Sequence, residues 1–148
     1  MFSIGRKPDG APKDTLVNVE AGSDFVVHIA SADQAPQLNA SSAILPYGQS
    51  ELDDLDLELV EVDGWNTPRL ESANIAFNCR RFDVTPVRES TQTLIFGQIT
   101  HAYVDDTLIV DDAEHLQIDA SKVDPLARLG GADYASLGPI FTIPRPGY

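Results

Sequence analysis

Two strand-length segments constrain this chain more than anything else in it: one starting at Asn74, the other running from Thr93 to Val104. In the first, Ile75, Phe77 and Cys79 alternate until the apolar phase slips at Arg80-Arg81 to Phe82 and Val84. Successive strand side chains point to opposite faces, so such a slip calls for a β-bulge or strong coiling, as in barrels. In the second, Ile95, Gly97, Ile99, His101 and Tyr103 share one face, and Gly97 in mid-strand marks a sharp bend or a close backbone approach. Strands dominate, helices are short and no βαβ rhythm exists, so the class is mainly β, closed or sandwiched.

The other segments agree with that class. Phe25 to Ala30 is β-branched and apolar almost throughout, as a strand covered on both faces would be. His28 within it reads as a core or interface histidine with one satisfied ring nitrogen, a ligand role being the outside possibility. Asp14 to Glu20 predicts a short helix closed by Gly22, and Asp33 to Ala40 a second with Pro36 in its first turn. From Glu51 to Val62, Leu55, Leu57 and Leu59 alternate with Asp56 and Glu58, which predicts a half-buried strand whose acids form a solvated edge. Arg80 and Arg81 read as outward charges. Asp105-Asp106 turns the chain into Leu108-Ile109-Val110, and Gly130-Gly131 lacks the spacing of a dinucleotide fingerprint.

At 148 residues the chain suits one domain, residues 1–148, large enough to bury roughly 70% of its unfolded surface. Its net charge of −13 excludes a general nucleic-acid binder, because no basic face can neutralise phosphates. Apolar runs of strand length and the absence of a signal pattern after Met1 point away from the membrane and to a cytoplasmic protein. The single Cys79 has no partner for a disulfide or a metal site and reads as a small core residue. No Ser-His-Asp spacing, zinc pattern or P-loop is present, so no metal ligand and no catalytic side chain is assigned.

The stretch from Phe2 to Asn18 alone looks built to hold an anion. A short apolar run gives way at Gly5 to a loop carrying Arg6, Lys7 and Lys13, which ends in Asp14-Thr15, a natural helix N-cap pair. A helix start offers free N–H groups and a positive dipole end, so a phosphate there would meet amides, a Thr hydroxyl and cationic side chains together. Three of the ten Lys and Arg residues lie in the first thirteen positions, and the next is Arg69. Taken by itself, such a loop is more often plain surface.

Several segments in order resemble the flavin reductase-like family, the FMN-binding split barrels. They are Phe2-Ser3-Ile4-Gly5-Arg6, Lys13-Asp14-Thr15 with Asn18, Phe25-Val26-Val27, Asn39-Ala40-Ser41-Ser42, Phe96-Gly97-Gln98-Ile99-Thr100-His101, and Arg128-Leu129-Gly130-Gly131 with Tyr134. The resemblance implies a split β-barrel with a few short helices, a homodimer, bound FMN, and often hydride transfer from NADH or NADPH. Carried over by position, it assigns the FMN phosphate to Arg6, Lys13 and Thr15, gives Asp14 the loop and the helix cap, and ranks His101 first as a flavin or nicotinamide neighbour. Ser41, Ser42 and Tyr134 fall in matching segments without assigned atoms. Two departures stand out: the family usually has Asn where this chain has His28, and its members carry strands ahead of the one at which this sequence begins. On that expectation the chain is N-terminally truncated, and the alternative function is a shortened, non-catalytic dimerisation module or a gene fragment.

Overall fold

The computed structural model describes residues 1–22, 24–112 and 115–147. Its strands are β1 (Phe2–Ile4), β2 (Asp24–Ile29), β3 (Leu59–Val60), β4 (Arg69–Leu70), β5 (Ile75–Pro86), β6 (Thr93–Val104), β7 (Ile109–Asp112), β8 (His115–Ile118), β9 (Ala127–Gly130) and β10 (Asp133–Ala135). Three short helices, α1 (Asp14–Ala21), α2 (Ala35–Ala40) and α3 (Ala120–Val123), lie between them. The main sheet is antiparallel with order β1-β6-β5-β2, and three two-stranded ribbons, β3–β4, β7–β8 and β9–β10, complete the set. The architecture is the mainly β, split-barrel-like arrangement expected, with a few short helices.

The long hairpin of β5 and β6 carries the sheet, and the phase slip read from the sequence is real. The ladder pairs Ile75 with Val104, but its register shifts between Asn78 and Cys79 and again between Arg81 and Asp83. Each shift adds local twist and bends the bulged strand, which is how Ile75 and Val84 both meet apolar neighbours. Gly97 sits where the curvature brings β2 close. A Cβ built there would lie 2.6 Å from Phe25 Cζ and 3.3 Å from Cys79 Cβ, so any side chain there would force Phe25 to move.

Apolar residues gather in two clusters. Buried Ile4, Val19 and Ile95 join β1, α1 and β6, with Phe2, Leu16, Phe25 and Val84 packed against them; Phe2 and Phe25 meet edge to face at 5.7 Å. At the other end Ile75, Leu108 and Val123 are buried with Ile29, Phe77 and Val104 around them. Cys79 is buried, as a small core residue should be.

Two sequence expectations need correction. The segment from Glu51 is not a strand: Ser50 accepts the Leu52 N–H and starts a 3-10 turn at Glu51–Asp53, and only Leu59–Val60 pairs, with Arg69–Leu70. Its leucine alternation has no partner strand to act upon. Arg81 is also no simple outward charge. Its guanidinium donates to the carbonyls of Val19 (3.0 Å) and Glu20 (2.7 Å), the unpaired end of α1, where a cation also opposes the negative end of the helix dipole.

Two measurements test these contacts. Gly97→Ala should destabilise the chain by about 1–3 kcal/mol in chemical denaturation, the usual cost of overpacking, with part of the loss recovered by adding Phe25→Leu. Arg81→Gln should cost about 1–3 kcal/mol through two charge-assisted bonds, and should raise amide exchange in the last turn of α1 more than in β5. An unchanged exchange pattern would remove the clamp.

Candidate functional site

The site grows from the loop between β1 and α1. Ile4 is fixed in the core, and after Gly5 the chain makes a narrow excursion closed by a bridge between Arg6 and Pro12. Inside it the Lys7 N–H donates to Ala11 O at 2.8 Å, the Gly10 N–H to Lys7 O at 2.9 Å, and the Arg6 guanidinium to Gly10 O at 3.1 Å. Gly10 lies at φ +86°, a conformation that glycine adopts without steric cost. The loop is therefore held by its own backbone, without relying on any ligand.

The start of α1 differs from the sequence expectation. Its N-cap is Lys13, in extended conformation, and no side chain caps it. Asp14 is already helical, so its carboxylate points away from the amides a cap would serve and accepts a 2.7 Å ion pair from Lys7. Asp14 thus ties the loop to the helix but does not cap it. The N–H groups of Asp14 and Thr15 precede the first intrahelical bonds, which run from Leu16 and Val17 to Lys13 O, and among the described residues they meet no acceptor.

Arg6, Lys13, Asp14 and Thr15, remote from Ser41 and Ser42 in sequence, line one cleft of about 440 Å³ together with them. The Ser41 and Ser42 hydroxyls donate to Leu38 O (2.8 Å) and Asn39 O (2.6 Å), so their protons are engaged in ending α2. The Lys13 ammonium and the Thr15 hydroxyl have no partner among the described residues. With Lys7 neutralising Asp14, the cleft keeps two cationic groups, a hydroxyl and two amides for an anion, against one remaining carboxylate, Glu51. This donor set fits a phosphate group.

Thr15 also lines an apolar hollow of about 470 Å³, whose walls include Phe2, Val27, Phe77, Gly97 and Ile99. His101 does not continue the row of Gly97 and Ile99: the ladder pairs Cys79 with Ile99 but Asn78 with His101, so Thr100 is the extra residue of a bulge and His101 turns to the other face; it is exposed and lines neither the cleft nor the hollow, and its Nδ1 lies 3.3 Å from Thr100 Oγ1. Tyr134 reaches α2 through a 3.5 Å hydrogen bond to Asn39, while Arg128 stacks 5.4 Å from its ring and donates to Gly131 O at 2.8 Å. Glu51 and the segment Ala43–Leu45, which also line the cleft, were not singled out from sequence, because only folding brings them to α1.

His28 is structural. Its Nε2 accepts the Leu70 N–H at 3.1 Å, tying β4 to the edge strand β2. Burial, and secondarily the positive charge of Arg69, push its pKa below 6.5. Arg69 is itself buried, with its guanidinium 3.7 Å from the Tyr103 ring centroid and its Nη1 donating to Leu70 O and Glu71 O. Among the described residues no group of three or more His, Cys, Asp and Glu is arranged to hold a metal ion, and no helix is long and apolar enough to cross a membrane.

The model of the flavin reductase like domain matches residues 1–118. An uncharacterised protein of Halalkalibacterium halodurans is 33% identical over 98% of this chain and 69% of its own length. The uncharacterised protein YwrF of Bacillus subtilis is 31% identical over 98% of the chain and 71% of its own. Among solved structures, nitrilotriacetate monooxygenase component B from Bacillus cereus superposes with a TM-score of 0.84 at 29% identity, over 96% of this chain and 70% of that one.

Because the folded state disfavours the protonated form of His28, the unfolded chain binds the extra proton first. Stability from neutral His28 is therefore complete above pH 6.5 and falls as the pH drops below it. Hydrogen-bonded Asp105 and Asp119 sit below their ordinary 3.8, so their contributions are lost only at more acid pH. Denaturation midpoints measured downward from pH 7 should decline before the carboxylate range is reached. His28→Gln should flatten that first decline; an unchanged profile in the variant would assign it elsewhere.

Proposed function

This chain belongs to the flavin reductase like domain family, and on that premise we propose that it binds FMN and serves as an NAD(P)H-dependent flavin reductase-type oxidoreductase. The observation that carries the reading is the convergence of Arg6, Lys13 and Thr15 with the open amides of α1 on one cleft. A phosphate dianion there would gain charge-assisted hydrogen bonds, roughly twice as strong as neutral ones. Arg6 and Lys13 supply the charge, Thr15 a hydroxyl, and Asp14, through Lys7, holds the loop in place. The apolar hollow that meets the cleft at Thr15 offers the flat, uncharged surface that an aromatic ring system requires.

Bound FMN supplies hydride acceptance from a nicotinamide and its onward release. The protein's own part is anchoring and shielding. Phe2, Phe77 and Ile99 offer apolar contact in the hollow, and the cationic cleft draws phosphate to one end. His101 is the side chain we assign to the flavin or nicotinamide neighbourhood on the family resemblance alone, since the bulge at Thr100 turns it from the row of Gly97 and Ile99. We further propose a homodimer of single-domain chains, in a cytoplasmic setting. Ile99 is 56% exposed and Phe82 77% exposed on the main sheet, apolar area that a second copy would cover.

The test is a titration of the purified chain with FMN and, separately, riboflavin, followed by flavin fluorescence. FMN should bind with micromolar or tighter affinity. Arg6→Ala/Lys13→Ala/Thr15→Ala should weaken it by about two orders of magnitude, as expected for losing several charge-assisted bonds, while riboflavin binding stays unchanged. NADH and NADPH oxidation by the loaded chain then reads the activity. If FMN and riboflavin respond alike to the triple variant, the phosphate does not sit in this cleft.

A further inference from the structure

A second cleft, of about 520 Å³, adjoins the anion cleft, with Ser41 and Glu51 lining both. Its volume lies within the range of small-molecule sites, roughly 300–1,000 Å³. Five leucines, Leu38, Leu52, Leu55, Leu57 and Leu70, make its apolar wall. Two of its polar residues are already committed: His28 Nε2 accepts from Leu70, and the Gln34 amide donates to Ser72 O at 2.7 Å while accepting the Ser31 N–H at 3.1 Å.

Charge distinguishes the two clefts. Arg6, Lys7 and Lys13 line the first, whereas the charged residues lining the second are Asp33, Glu51 and Asp56, with no Lys or Arg. Asp33 accepts the Ser31 hydroxyl, but the carboxylates of Glu51 and Asp56 have no hydrogen-bond or ion-pair partner among the described residues. His28, whose pKa burial lowers, adds no positive charge at neutral pH. An apolar cavity with unpaired carboxylates at its edge repels anions and attracts a cation that carries its own hydrocarbon, since leucine contact and charge pairing are then satisfied together.

We propose that this cleft binds a small organic cation, with an aromatic or aliphatic body on the leucines and a protonated amine at Glu51 and Asp56. Phosphate-bearing ligands are thereby directed to the neighbouring cleft. The assignment does not depend on flavin binding, and its test contains no flavin.

The experiment is calorimetric titration of the intact chain with three probes sharing one body: 4-phenylbutylamine, 4-phenylbutanol and 4-phenylbutyrate. The amine should bind with sub-millimolar affinity, about ten-fold tighter than the alcohol, and the carboxylate should bind weakest; added salt should narrow the gap, since the edge carboxylates are partly exposed. Glu51→Gln/Asp56→Asn should abolish the preference for amine over alcohol. Leu55→Gln should weaken amine and alcohol together. Glu61→Gln/Asp63→Asn, which removes the same charge outside the cleft, should change neither. Absence of amine binding, equal binding of the carboxylate, or an equal response to both charge-removing pairs would overturn the assignment, the last by showing that the amine answers only to net charge.

Discussion

Everything else in the molecule hangs on the antiparallel pairing of β5 with β6. Two twelve-residue strands in one hairpin of regular register would carry only the ordinary strand twist. Two register shifts coil it further, and the coil creates a concave side where Gly97, Cys79 and Phe25 come into contact. β1 is added at one edge and β2 at the other, and an apolar cluster forms at each end of the hairpin. The cluster of Ile4, Val19 and Ile95 matters most for the site, since it fixes both the strand that leads into the basic loop and the helix that follows it.

Several of the cations in this acidic chain are committed to its own structure. Arg69 is buried against Tyr103 and the backbone of β4, Arg81 closes the end of α1, and Lys7 is paired with Asp14. In each case a buried or half-buried polar group meets a partner that offsets its desolvation. Arg6 and Lys13 are left at the exposed end of the same helix, where the amides of its first turn already favour negative charge. The adjoining leucine-walled cleft has the opposite sign, so two neighbouring cavities differ in charge more than in size.

The local readings that held had a short-range physical cause. The slip at Arg80-Arg81, the glycine at 97 and the full extent of Thr93–Val104 follow from strand periodicity, and the structure keeps all three. The readings that failed depended on distant partners. Leu55, Leu57 and Leu59 alternate as a strand would, yet alternation makes a strand only where another strand supplies hydrogen bonds, and only Leu59–Val60 has one. Asp14 has the chemistry of a cap, but Lys7 holds its carboxylate. Arg81 resembles any surface arginine until the bulge in β5 turns it toward carbonyls more than sixty residues earlier.

By itself, then, the sequence determined the mainly β class, the coiled central hairpin and a basic loop ahead of a short helix. All three are written in periodicity, glycine placement and the local clustering of charge. The family resemblance was likewise carried by short ordered segments. Only the tertiary structure decided that Ser41 and Ser42 face the same cleft as Arg6 and Thr15, that His101 lies apart from it, and that a second cavity of opposite charge adjoins at Glu51. The physical reason is that a cavity is made by surfaces from segments far apart in the chain. Their meeting depends on sheet curvature and helix anchoring, which no local pattern of residues encodes.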